Sequence, residues 1–170
     1  MTDPTRAFTL RRATSRDAAI LSELRAALFD EIGRHSAAAA ATASASDAVA
    51  PPAFASTCVA AFTRLLDADL ARAWLAETDD GERVGTAVLL LFPRLPTPAL
   101  APEREGYLLN VFTRPAWRGQ GVAGALVCAA VAEARALGLA RVRLHTTAAG
   151  EPVYASAGFR LRSDEMELRF

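Results

Sequence analysis

The sequence predicts an α/β (α+β) domain with strands and helices interleaved along the chain, and three observations carry that prediction. Apolar residues recur at helical spacing in three long stretches, the first marked by Ile20, Leu21, Leu24, Leu28 and Ile32. Short apolar runs bounded by turn residues alternate with those helices and read as strands. A glycine-rich turn, Thr113 to Leu126, joins an apolar strand directly to an alanine-rich helix.

Taken in order, Phe8 to Ala13 reads as a first strand. Thr14-Ser15-Arg16-Asp17 offers a capping box for a helix of about four turns closing near Gly33. Ser36 to Ala50 is almost wholly Ala, Ser and Thr and ends at Pro51-Pro52; with nothing bulky to bury, it reads as a mobile surface loop or marginal helix. Cys58, Phe62, Leu65, Leu66 and Leu70 mark a second helix. Ala73 to Glu77 and Arg83 to Phe92 flank Thr78-Asp79-Asp80-Gly81 and read as an antiparallel hairpin, after which the prolines of Pro93 to Pro102 demand a loop. A strand from Gly106 to Thr113 leads to a helix beginning near Gly119, its face carrying Val122, Leu126, Ala130, Val131, Ala134 and Leu137 and its end at Gly138. Arg141 to Thr146 alternates as a strand, Glu151-Pro152 opens a short helix holding Tyr154, and Arg160 to Arg162 and Met166 to Phe170 complete about seven strands and about four helices. No repeat or second domain is visible, so residues 1–170 read as one domain.

Composition narrows the function. Nineteen basic residues balance nineteen acidic ones, so no overall field recruits nucleic acid or an anionic membrane. All nineteen are Arg, which excludes a P-loop lysine and any Schiff-base mechanism. Cys58 and Cys128 sit in apolar helical contexts and read as buried, reduced thiols. The N-terminus resembles no signal peptide, and the apolar run from Val84 to Phe92 is too short to cross a bilayer, so a cytoplasmic location is expected.

The turn Arg118-Gly119-Gln120-Gly121-Val122-Ala123 is built to hold an anion. The first amides of a helix lack partners within it, and their dipoles favour negative charge. Gly119 and Gly121 remove side chains that would hold a phosphate away, and Arg118 adds a cation. Gly119-x-Gly121-x-x-Gly124 is also the literal dinucleotide fingerprint, but Arg114 to Arg118 separate it from the strand. The next strand ends in His145-Thr146-Thr147 rather than in the acidic residue that would hold a ribose.

Arg118-x-x-Gly121-x-Ala123 resembles the acetyl-CoA loop of the GNAT superfamily of N-acetyltransferases, and Val153-Tyr154-Ala155-Ser156-Ala157-Gly158-Phe159 resembles its C-terminal signature. The resemblance covers nearly the whole chain and implies a mixed, mostly antiparallel sheet splayed between strands four and five. It implies acetyl-CoA as acyl donor, with no metal, and a primary amine as acceptor. Val111, Phe112 and Thr113 would pair their backbone with the pantetheine arm, and Arg118, Gly119, Gln120, Gly121, Val122 and Ala123 would hold the pyrophosphate. A backbone NH near Asn110 or Val111 would polarise the thioester carbonyl, and Tyr154 would protonate the departing thiolate. Thr147 stands where many relatives carry an Asn that contacts the CoA arm.

The chemistry asks for these groups. An alkylamine with a pKa near 10.4 must lose a proton before attack, which costs about 4 to 5 kcal/mol at pH 7. Glu105, acting through water, His145 and His35 are the candidate bases, His145 sharing a strand face with Arg141 and Arg143. By the same resemblance the first two helices and the last hairpin shape the acceptor site, bringing in Asp30, Glu31, His35, Asp164, Glu165 and Glu167. An antibiotic, a polyamine, an amino-acid derivative and a peptide N-terminus all remain open as acceptors. The alternative is a CoA-binding sensor without turnover, and a monomer or a homodimer is compatible with either.

Overall fold

The structure is a computed structural model that describes residues 7–39, 53–95, 97–98, 104–162 and 168, with backbone only for 34–39. Its strands are β1 (Thr9–Arg12), β2 (Ala71–Glu77), β3 (Arg83–Pro93), β4 (Arg104–Thr113) and β5 (Val142–Arg143), and its helices α1 (Ala18–Ala39), α2 (Phe54–Asp67), α3 (Val122–Ala136) and α4 (Glu151–Ser156). The sheet order is β1-β2-β3-β4-β5, antiparallel except for the parallel β4–β5 pair. The predicted class holds with five strands among the described residues rather than seven. Arg160 to Arg162 forms no strand, and Met166 to Phe170 lies outside the described residues apart from Leu168. The strand expected over Arg141 to Thr146 pairs only at Val142 and Arg143, because β4 and β5 diverge beyond Gly106↔Val142 and Tyr107↔Arg143.

Side-chain alternation builds two cores, one on each sheet face. Trp74, Ala76, Val84, Leu89, Leu91 and Leu108 meet Val122, Leu126, Val127, Ala130 and Ala134 of α3, with Tyr154 and Phe159 packed at the margin. Ala73, Leu75, Val88 and Phe112 meet Leu21 and Leu24 of α1 and Cys58 and Phe62 of α2 on the other face. Cys128 is exposed, against expectation, since the helical period turns it away from that row of α3 residues.

The capping box forms, the Asp17 carboxylate accepting the Thr14 backbone NH at 2.9 Å, though a 3₁₀ turn at Ser15–Asp17 precedes the α-helix. α1 continues through Gly33 to Ala39, so the first residues of the alanine-rich stretch are helical; residues 40–52 lie outside the described set. α3 begins at Val122, three residues later than predicted, because a 3₁₀ turn at Pro115–Trp117 and the two glycines occupy the approach. It ends as expected, with Gly138 at φ +65° and its NH bonded to the Arg135 carbonyl at 3.0 Å.

Candidate active site

The site begins with a break in regularity. β3 and β4 pair Thr86 with Phe112 and Val88 with Leu109, so Asn110 and Val111 together oppose Ala87. This β-bulge twists the strand and redirects its amides. Asn110 occupies the left-handed region at φ +55°, which Asn tolerates better than most residues because its short amide bonds locally. Past Tyr107 the β4 edge that faces β5 has no strand partner among the described residues. An extended ligand arm can add there as though it were another strand.

That edge leads into the glycine turn. Gly119 and Gly121 adopt φ +74° and +83°, and no heavy atom lies within 4 Å of a Cβ built at either, so the backbone is open on that side. The first helical bond of α3 runs from the Ala125 NH to the Gly121 carbonyl at 2.9 Å. The amides of Val122, Ala123 and Gly124 therefore stand ahead of the ladder, where an anion can take them. Val122 itself is 1% exposed and Phe112 5%, so both side chains are core and only their backbones are on offer.

Arg118 reaches back from the turn, donating from Nε and Nη2 to the Thr113 carbonyl at 3.4 Å and pairing with Glu31 of α1 at 2.5 Å. Gln120 donates to the Ala116 carbonyl at 3.1 Å, while its buried Oε1 accepts nothing. Thr113 Oγ1 is likewise buried without a partner. Two of the acceptor-side carboxylates are described: Asp30 is exposed and Glu31 is bound to Arg118. The side chain of His35, together with Asp164, Glu165 and Glu167, lies outside the described residues.

Tyr154 packs on the α3 face of the sheet, and Asn110 bonds to α1 on the other. Tyr154, on α4, is half-buried against the α3 core and stacks edge-to-face on Phe159 at 6.0 Å. Its hydroxyl bonds to no described residue, and burial pushes its pKa up, so the phenol stays protonated through the neutral range. Thr147 organises the turn before α4, its carbonyl accepting the Gly150 and Glu151 amides at 3.0 and 3.1 Å. Asn110 is 5% exposed; its Oδ1 accepts from Arg25 of α1 at 3.3 Å, and its Nδ2 has no partner.

The two described candidate bases lie in different surroundings. Glu105 is 1% exposed and ion-paired to Arg94 at 2.5 Å, Arg141 at 2.8 Å and Arg143 at 3.4 Å. Burial alone would raise its pKa, but the Arg141 hydrogen bond and the charges of all three guanidiniums prevail and hold it below the usual carboxylate range. So held, Glu105 is a structural anion rather than a base poised near neutrality. His145 is exposed, and its Nδ1 is hydrogen-bonded to the Tyr107 hydroxyl. Sequence reasoning missed the bulge, Arg25 and the Arg118–Glu31 pair. Among the described residues no group of His, Cys, Asp and Glu is arranged to hold a metal ion, and no helix is long and apolar enough to cross a membrane.

Known structures share this architecture. A predicted acetyltransferase from Clostridium acetobutylicum, solved with acetyl-CoA, superposes with a TM-score of 0.79 at 24% identity, 96% of each chain being covered. A GCN5-related N-acetyltransferase from Ralstonia eutropha JMP134 gives 0.79 at 25% identity over 96% of this chain and 99% of that one. Glucosamine-6-phosphate N-acetyltransferase from Arabidopsis thaliana gives 0.68 at 15% identity over 96% and 99%. No protein of curated function matches the sequence. The sequence model of the acetyltransferase (GNAT) family matches residues 41–159, a span that takes in the bulged strand, the glycine turn and the tyrosine helix, and the chain belongs to that family.

Proposed function

We propose that this protein transfers an acetyl group from acetyl-CoA to a primary amine by direct attack, within a single domain. The observation that carries the reading is the continuity of the open β4 edge with the glycine turn. One ligand with an extended amide arm and a pyrophosphate fits the two in sequence. The acetyl-CoA held by the Clostridium structure of the same fold supports it.

In this reading Val111, Phe112 and Thr113 offer backbone groups to the pantetheine, while the amides from Gly119 to Ala123 and the Arg118 guanidinium take the pyrophosphate. Arg118 would then exchange Glu31 for phosphate. Thr147 steadies the turn from which Tyr154 projects. The neutral amine attacks the thioester carbon, forming the C–N bond, and a backbone NH at Asn110 or Val111 stabilises the oxyanion. Collapse breaks the C–S bond, and the Tyr154 phenol gives its proton to the departing thiolate. The proton released by the amine passes through water, and we assign His145 to receive it. The competing reading, a CoA-binding module without turnover, draws its support from the sequestration of Glu105.

The test incubates the protein with acetyl-CoA and a panel of polyamines, aminoglycosides, amino acids and N-terminal peptides, following free CoA and acetylated products by mass spectrometry. Product that rises with protein concentration is expected. Acetyl-CoA binding with no product from any amine would favour the binding module, and absence of acetyl-CoA binding would end both readings.

A further inference from the structure

Arg25 stands apart from the other arginines. Each other half-buried or buried arginine with a described side chain pairs with a carboxylate: Arg11 with Asp17 and Glu77, Arg72 with Asp69 and Glu133, Arg94 and Arg143 with Glu105, Arg114 with Glu23. Arg25 is half-buried and makes no ion pair among the described residues. Its guanidinium lies over the Phe29 ring at 4.8 Å and donates once, from Nη1 to Asn110 Oδ1 at 3.3 Å. A cation withdrawn from water is ordinarily compensated by an anion. Here no described residue supplies one, and four of the five guanidinium hydrogens have no described partner.

Arg25 also settles the orientation of Asn110. A guanidinium only donates, so the amide must present Oδ1 to it and leave Nδ2 for another acceptor. That Nδ2 is the buried donor without a partner, on a residue 5% exposed at the bulge of β4. A cation and a neutral donor are thus held together, both short of an acceptor. An oxyanion with two equivalent oxygens satisfies both, and its binding discharges two desolvation costs at once.

We propose that Arg25 and the Asn110 side chain form the seat for a carboxylate carried by the acceptor, so that the amine acetylated here belongs to an amino acid or a similarly short amino-carboxylate. The inference rests on the acetyl-transfer reading and narrows its acceptor. The seat adjoins the backbone where the thioester carbonyl would be polarised, so carboxylate and amine are separated by only a few bonds. Polyamines and peptide N-termini lack a carboxylate at that distance.

The experiment compares kcat/KM for glycine, β-alanine, leucine and phenylalanine with that for the primary amide of each, at saturating acetyl-CoA. The amine of an amide deprotonates more readily, so intrinsic reactivity favours the amide and a preference for the acid must come from the protein. The expected preference for the acid is about tenfold or more, the worth of a hydrogen-bonded charge. In Arg25→Met it falls to within about twofold, through a rise in KM for the acid with little change for the amide, and Arg25→Lys restores part of it. Equal loss for acid and amide in Arg25→Met would reduce Arg25 to a positioning residue and overturn the proposal. A wild-type protein that acetylates amides, polyamines or peptides as well as acids would overturn it too while leaving acetyl transfer intact. If no amine is acetylated, thermal shift of the CoA-bound protein with N-acetyl-leucine and N-acetyl-leucinamide decides separately. A shift by the acid alone, lost in Arg25→Met, keeps the seat and removes the transfer reading; equal shifts or none remove the seat.

Discussion

The two ends of the sheet treat their polar groups in opposite ways. At the β1–β2 end Arg11 bridges Asp17 at 2.7 Å and Glu77 at 2.9 Å, Arg83 joins Glu77 at 3.2 Å, and Arg12 reaches Glu133 at 3.1 Å. Around β4, beside the ion pairs of Glu105, other polar groups go unmatched: Thr86 Oγ1, Asn110 Nδ2, Thr113 Oγ1 and Gln120 Oε1 are all buried without hydrogen-bond partners. Every unsatisfied buried side-chain atom among the described residues lies on β3, β4, β5 or the glycine turn, and none at the β1 end. Native proteins leave few such groups, because each costs about 1 to 3 kcal/mol of desolvation. On the acetyl-transfer reading a ligand would complete this part of the sheet, while the other end is finished without one.

The comparison breaks first at Tyr154. If the β4 end is a catalytic site, Tyr154→Phe lowers kcat about 100-fold or more, the usual worth of a positioned proton donor. Acetyl-CoA affinity holds, since the hydroxyl bonds to no described residue and the ring keeps its contact with Phe159. Single-turnover kinetics beside calorimetry measures both, and equal kcat in the two proteins would return Tyr154 to a packing role. Next comes Gly121→Arg, which puts a side chain where the phosphates would lie and forces a non-glycine residue to φ +83°. The expected loss of acetyl-CoA affinity is about 100-fold, and the backbone strain costs about 1 to 2 kcal/mol. A protein of this size tolerates that cost, so a cooperative melt persists. Retained affinity in the folded variant would separate the glycine turn from CoA binding.

The parts legible in the sequence are those with local signals. Apolar spacing gave α1, α2 and α3, and Gly138 announced the end of α3 because only a glycine enters the left-handed C-terminal turn without cost. The glycine turn and Tyr154 were visible as spaced motifs. The bulge was hidden, since pairing register is a relation between strands and Asn110 sits in an otherwise ordinary apolar run. The bonding of Glu105 was hidden for the same reason: Arg94, Arg141 and Arg143 come to it from either side in sequence and from different elements. Arg25 left a faint trace. Its helical neighbours at three and four residues are Leu21, Ser22, Leu28 and Phe29, none of them acidic, so no local carboxylate was available to pair with it.

The smallest effect tests the finished end of the sheet. The Asp17 carboxyl is drawn down from 3.8 to about 2, chiefly by its hydrogen bond from Arg11 and further by the Thr14 backbone NH. Glu77 is lowered for the same reason, Arg11 again being the main cause. A depressed carboxylate contributes stability that is complete above its unfolded pKa and disappears as pH falls through the folded value. The Asp17 contribution is therefore full above about pH 4 and gone near pH 2. The gross shift is worth about 2 kcal/mol, and because the Arg11 side chain is 38% exposed, solvent screening reduces it to about 1 kcal/mol. Urea unfolding of Asp17→Asn at pH 7 should show that deficit, with the variant and wild-type curves converging near pH 2. Acetyl-CoA affinity at pH 7 should be the same in both, because Asp17 belongs to the end of the sheet that needs no ligand. A deficit that persists unchanged at pH 2 would mean that Asp17 acts through the geometry of its cap rather than through its charge. A parallel loss of acetyl-CoA affinity would show the two ends to be coupled through α1, which follows directly on Asp17 and carries Glu31, the partner of Arg118.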